Sequence, residues 1–397
     1  MCHHSSLGGL NMTTTYSRGR AIYDADSHVM ELADFLDPFI SEAGAELLHR
    51  GGMEALKPVL DGATARRDER RVTPELVAKA EERLMIDKGW QAFGAFDQAE
   101  RTRALDLLGF SGQLVFATFA SAMFAGKNQD RMYAGSSAQN LAMADFCSAD
   151  PRLLPVAYVP LVDTARAVAV TTEAIEAGCK AVMIPSTAAG DRSPTHPDLD
   201  PFWDLLSEAD IPFVLHVGGG GKLLDRAFHN NAMPVTDHLG GGENVRSKDY
   251  IAIPNSPKLF LSVLVLDGLF DRFPKLRGGS IEQGASWVVS WLHELDFAVT
   301  SFGRTEEPLQ RLTMKPSEYV RKHLKFTPYP GEPVGWMIEQ AGEELFLFSS
   351  DYPHPEGTKD PLGKFEKTLD GISDGALDRF YCDNFVELLG SHTPALV

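Results

Sequence analysis

The chain has 397 residues, 44% of them hydrophobic and 23% charged, with a formal net charge of −18 at pH 7. That is a globular composition, and its acidity argues against nucleic acid as a partner, because phosphate binding needs a basic field. No apolar run reaches the roughly 18–20 residues a membrane span needs, and MCHHSSLGGLNM lacks the basic-then-apolar pattern of an export signal, so a cytoplasmic protein is expected. Cys2, Cys147, Cys179 and Cys382 show no CxxC spacing, so incidental thiols are expected rather than a disulfide framework or a cysteine zinc site.

Residues 1–20 read as a flexible tail, and from there strands and helices alternate. The first expected strand is Ala21–Asp26 (AIYDAD). Residues 30–100 are surplus to a simple alternation and read as a helical insertion, with a lid, a packing element or a dimer contact as its possible roles. Its run RRDERR, Arg66–Arg71, reads as a solvated helix face. Further strands are expected at Gln113–Thr118, Pro155–Pro160, Lys180–Ile184, Pro212–Val217, Leu276–Glu282, Leu324–Thr327 and Leu345–Ser350, each a short apolar run of the kind a buried parallel strand shows. Between them, Asp130–Ala149 and Thr164–Ala177 read as helices, the second closed by Gly178 as a left-handed cap. Ser256-Pro257 opens a third running to Arg272, and Trp287, Trp291, Leu295 and Phe302 stripe a fourth.

Eight strands alternating with helices match a (β/α)8 TIM barrel over residues 21–390, followed by a short tail, 391–397. A doubly wound open sheet gives the same alternation, but it would carry a Gly-rich phosphate turn where this chain has DADSH. In a barrel the strand ends open on one mouth. Asp26 and His28 follow the first strand two residues apart, and so point to the same side. His216 ends the fifth strand in PFVLHVGGGG, and Asp351 follows the eighth in LFLFSSDYPHPE. Singly, each is as readily a core histidine or a helix cap. Together, carboxylate oxygen and imidazole nitrogen on converging strand ends suit a divalent metal: zinc, manganese or iron.

The segments DADSHVME, LHVGGG, FDRFPKLRGGSIEQGASW and FLFSSDYPHPEGTKDPLGKFEKTL resemble the amidohydrolase superfamily. They are most similar to its amidohydrolase-related branch, which includes aminocarboxymuconate-semialdehyde decarboxylase. The resemblance implies a (β/α)8 barrel with one divalent metal, zinc first. Its activity is either hydrolysis of a small, carboxylated or cyclic substrate or non-oxidative loss of CO₂. His28 falls on the second His of the family's HxH motif and Asp26 replaces the first; His216 and Asp351 match the fifth- and eighth-strand ligands. At the sixth strand, where decarboxylase-like members have a His, this chain has Glu282.

Asp351 is therefore the expected ligand and general base, Glu282 a second acid/base, and His354 a further proton donor or substrate contact. In the loop after the fifth strand, His229 and Arg226 are candidate substrate contacts, with Lys222 and His238 as further groups within reach. The leading expectation is a metal-dependent hydrolase acting on a small molecule, as a homodimer. A carboxy-lyase and a non-catalytic binding barrel are the alternatives.

Overall fold

The structure is a computed structural model, and it describes residues 15–218, 224–233 and 247–396. Lys222 and His238 lie outside the described residues. Seven strands form one sheet in sequential order: β1 (Tyr23–Val29), β2 (Gly112–Ala117), β3 (Leu153–Tyr158), β4 (Ala181–Met183), β5 (Phe213–His216), β6 (Gly278–Ile281) and β7 (Leu324–Phe326). Every neighbouring pair is parallel. Helices pack around it, as a parallel sheet buried on both faces requires.

The expected eighth strand is not a regular strand, but its segment lies where one belongs. On one side, Phe326 N–H donates to Leu345 O (2.8 Å) and Leu347 N–H to Phe326 O (2.9 Å). On the other, Ala25 N–H donates to Phe348 O (3.0 Å), Asp351 N–H to Asp26 O (2.9 Å) and His28 N–H to Tyr352 O (2.7 Å). Residues 345–352 thus join β7 to β1 and curl the sheet back on its first strand, giving a TIM-barrel-like α/β fold. The ladder is interrupted because Asp351 turns to φ 54°, outside extended geometry.

Sequence dictates the close packing around β6. A Cβ at Gly278 would lie 2.2 Å from the Phe213 ring, so only glycine lets β5 and β6 pair there. The helix Thr164–Ala177 ends at Gly178 with φ 115°, as the sequence predicts. The helix expected from Ser256 to Arg272 instead spans Asn255–Leu266 and breaks at Gly268 (φ 71°) before the short helix Leu269–Arg272. Ser256 is no cap: its hydroxyl donates to Ser186 O at 2.7 Å. In the helix Ser286–Phe302, Trp291 and Leu295 are buried as expected, but Phe302 is exposed.

The path from β1 to β2 covers residues 30–111 and is largely helical. Leu36, Leu48, Met53 and Leu60 pack against Ala120, Met123, Phe124 and Ala138 from beyond β2. The RRDERR run is not a free charged face. Arg70 forms two 2.8 Å bonds to Glu100, and Arg67 and Arg71 reach Asp97 at 3.2 and 2.7 Å.

Both expected tails are tied in where they are described. Tyr16 N–H and Ser17 N–H donate to Leu107 O and Leu108 O, and Tyr23 OH donates to Pro394 O. Cys147 and Cys179 are free and buried, whereas Cys382, expected to be unpaired, is disulfide-bonded. Among the described residues no helix is long and apolar enough to cross a membrane.

Candidate metal centre

β1 runs past Asp26 through His28, so both residues sit within extended backbone and their side chains project to one side. His216 closes β5 and faces the same end of the sheet. The three converge: Asp26 Oδ1 lies 3.2 Å from His28 Nε2 and 3.4 Å from His216 Nε2. Glu282, one residue past β6, brings Oε2 to 3.3 Å from His216 Nε2. Its φ is 53°, a left-handed turn held by Thr327, whose hydroxyl accepts from Glu282 N–H at 2.8 Å, and by Tyr329, whose hydroxyl donates to Glu282 O at 2.7 Å. Asp351 Oδ1 lies 3.6 Å from His28 Nε2 and 3.0 Å from His354 Nδ1.

These side chains form two overlapping clusters, each with its ligand atoms within 4.8 Å of one another: Asp26, His28, His216 and Glu282, and His28, Glu282, Asp351 and His354. Glu282 completes the set around Asp26 and His216 and also belongs to the set that includes Asp351. Asp351 approaches from the His28 side.

The donors fit a divalent ion. His28 Nε2 and Asp351 Oδ1 are buried and lack a well-directed hydrogen bond, a costly state that a cation between them would relieve. Burial, with His354 stacked 3.5 Å away, pushes the His28 imidazole well below its usual pKa, leaving the neutral, ligating form. Burial alone would raise Asp26, but the two imidazoles beside it outweigh that and hold it below the usual carboxylate range. Burial pushes Asp351 up.

Surrounding residues hold these groups in place, and the sequence did not single them out. Asp24 accepts from Ser350 N–H, Ser350 Oγ, Gln113 Nε2 and Asp26 N–H, which ties β1 to the 350 loop. Glu31 is fully buried and accepts from the backbone N–H groups of Thr118, Phe119 and Ala120. That fixes Thr118, whose Oγ1 lies 3.0 Å from His354 Nε2. Gly89 N–H donates to Pro353 O, and Tyr352 OH to Phe93 O, so the β1–β2 path braces the Asp351 loop from behind.

The cluster opens into a cavity of about 1000 Å³ whose wall includes Tyr158, Met183, Tyr250, Ile253 and Tyr329. No residue of 30–100 lines it. His229 Nε2 lies 3.1 Å from Asp249 Oδ1, and of the two Asp249 is among the described lining residues. Arg226 begins the turn Arg226–His229, and its side chain lies outside what is described.

A TIM-barrel-like sheet with imidazoles and carboxylates gathered at its strand ends defines a class of metal-binding enzyme folds. The amidohydrolase family profile matches residues 23–390, and the chain belongs to that family. No curated protein sequence matches it. Among solved structures, an amidohydrolase from Mycobacterium avium subsp. paratuberculosis K-10 is 22% identical, with 93% of this chain and 99% of that one covered and a TM-score of 0.69. A dihydroxybenzoic acid decarboxylase from Polaromonas sp. JS666, solved with manganese and 2-nitroresorcinol, is 17% identical over 93% and 96% of the two chains, with a TM-score of 0.60. A 5-carboxyvanillate decarboxylase from Novosphingobium aromaticivorans DSM 12444, also with manganese, is 16% identical over 96% and 99%, with a TM-score of 0.62.

Proposed function

We propose that this protein is a divalent-metal-dependent, non-oxidative decarboxylase of small aromatic or conjugated carboxylates. Asp26, His28 and His216 would hold the ion, zinc or manganese, with Glu282 and Asp351 on its two flanks. When bound, such an ion anchors and polarises a substrate oxygen and lowers the pKa of a ligated water. The similarity to manganese-bearing decarboxylases supports this reading over simple hydrolysis. We read residues 30–100 as an insertion that buttresses the Asp351 loop.

The observation that carries the proposal is the contact between His354 and Asp351. Thr118 Oγ1 has one proton and donates it to Val29 O at 2.8 Å, so it accepts from His354 Nε2–H. His354 Nδ1 faces Asp351 Oδ1 at 3.0 Å without the alignment of a hydrogen bond, so a proton carried on this nitrogen would be stabilised by the carboxylate's charge rather than locked to it. That proton would sit on the cavity wall beside the ligand cluster. Decarboxylation consumes one: it passes to the ring carbon bearing the carboxylate, the carbon–carbon bond breaks, its electrons stay in the ring and CO₂ leaves. Glu356 Oε1, 3.7 Å from His354 Nδ1, is placed to restore the proton.

Hydrolysis remains the second reading, favoured by Glu282, an acceptor for a proton from water where decarboxylase-like relatives have histidine. The test is CO₂ release from a panel of hydroxybenzoates by manganese- and zinc-loaded protein, run beside an ester and amide panel. CO₂ release that His216→Ala abolishes is the expected result. Ester or amide cleavage without CO₂ would overturn the decarboxylase assignment.

A further inference from the structure

A second chamber of about 290 Å³ opens beside the metal cavity, and Ala125, Tyr158 and Gly218 line both. Two of those three shared residues carry no side chain larger than a methyl, so the partition is thin. A Cβ at Gly218 would meet nothing within 4 Å. Phe124, Met132, Leu161 and Val162 supply the chamber's apolar surface, and none of its described lining residues is charged.

Four main-chain acceptors of this wall are already engaged from behind. Tyr158 O accepts from Ser136 Oγ and Asn140 Nδ2, Pro160 O from Tyr133 OH, Ala125 O from Arg131 Nη2 and Val162 O from Arg192 Nη2. With those four acceptors taken, a hydrocarbon would gain by burial against Phe124, Met132, Leu161 and Val162. The far lip, at Thr187 and Ala188, is exposed.

We propose that this chamber is a specificity subsite for an uncharged hydrocarbon portion of the substrate, whose polar, reacting end lies at the Asp26–His28–His216 cluster. The substrate is therefore amphipathic, with an alkyl or aryl extension, and larger than a single hydroxylated ring. This rests on the metal-site reading but not on the choice between lyase and hydrolase.

The test is binding of n-alkyl hydroxamates, from acetohydroxamate to octanohydroxamate, to metal-loaded protein, because the head group chelates divalent metals whatever the reaction. Affinity is expected to rise about fourfold per methylene until the chamber is filled. Val162→Trp should flatten the series while leaving acetohydroxamate binding and metal content unchanged, and Met132→Ala should move the plateau to longer chains. Ala188→Phe, on the exposed lip, serves the same purpose as Val162→Trp should that variant not fold. A flat series in the parent, or an undiminished slope in the filled variant, would overturn the chamber while leaving the metal site standing. Failure of acetohydroxamate itself to bind would overturn both.

Discussion

The guanidinium of Arg101, wholly buried, donates from Nη1 to the main-chain carbonyl of His28 at 3.1 Å and lies 5.2 Å from the centre of the Tyr352 ring. Its Nε and Nη2 make no hydrogen bond, and burial depresses its pKa. A buried cation so sparsely bonded is expensive. What offsets part of the cost is the attraction of the buried Asp24 carboxylate on the same strand. Arg101→Met removes the donor to His28 O, leaving a buried acceptor bare at a cost of about 1–3 kcal/mol. It also leaves Asp24 without the attraction of that positive charge. The loss of stability in urea should therefore be larger for metal-free protein than for metal-loaded protein, where the ion takes over the compensation. Equal stability of parent and variant in both states would show that the guanidinium is only filler.

His216 bridges the two carboxylates Asp26 and Glu282, at 3.4 and 3.3 Å. Its loss leaves them close together with one fewer nitrogen ligand between them. His216→Ala is expected to lower metal affinity by at least about a hundredfold, beyond what loss of an outer-shell partner usually costs. Elemental analysis should find one divalent ion per chain in the parent and far less in the variant. Chelator should lower the parent's melting temperature but not the variant's, because an ion at 100 times its Kd stabilises the native state by about 2.7 kcal/mol. Unchanged metal in the variant would remove His216 from the centre.

The strand-end ligands were legible because each follows a short apolar run, and parallel topology brings such ends to one mouth. Asp26, His28, His216 and Asp351 all lie where that logic puts them. Their pairing was not legible: Glu282 joins Asp26 and His216 only because its backbone turns to φ 53°, a conformation no residue pattern announces. The supporting shell was hidden for a different reason. Arg70 sits in RRDERR, which reads as a solvated face, and Arg101 in QAERTRALDLL, which carries no signal of its own; only tertiary contact reveals them as buried. Glu31 and Thr118 carry no signature beyond their type. Loop position says nothing of side-chain direction, so the contact of His229 with Asp249, a residue of the cavity wall, was not legible.

Glu282 tests whether the sixth-strand carboxylate holds metal or moves protons. Glu282→Gln keeps an oxygen donor toward His216 and keeps the Thr327 and Tyr329 contacts, which are to the backbone. If Glu282 serves as a proton carrier, metal content should stay close to that of the parent while turnover falls by about 10²–10⁴. If it is an obligatory ligand, metal should be lost first, and restoring activity should need a large excess of ion. Full activity with full metal would assign it neither role.

Asp97 gives a pH-dependent test of the brace behind the site. It caps the helix Gln98–Leu108, which carries Arg101, by accepting from Glu100 N–H at 3.1 Å, and it binds Arg67 and Arg71. Burial works to raise its pKa, but these donors prevail and hold it below the ordinary carboxylate value. A depressed native pKa means that its stabilisation is present above the unfolded value, about 3.9, and is lost as pH falls through the native one. Asp97→Ala should cost about 1–2 kcal/mol near neutrality from the cap alone. Asp97→Asn, which still caps but carries no charge, should cost less. Both differences from the parent should shrink as the pH is lowered below about 4, where the parent's own carboxylate takes up its proton. Urea midpoints at pH 7 and pH 3 read this directly, and a deficit that does not change with pH would mean that the Arg67 and Arg71 contacts contribute nothing through charge. Because Arg101 lies on the capped helix, Asp97→Ala should also weaken metal retention at pH 7 more than Asp97→Asn does.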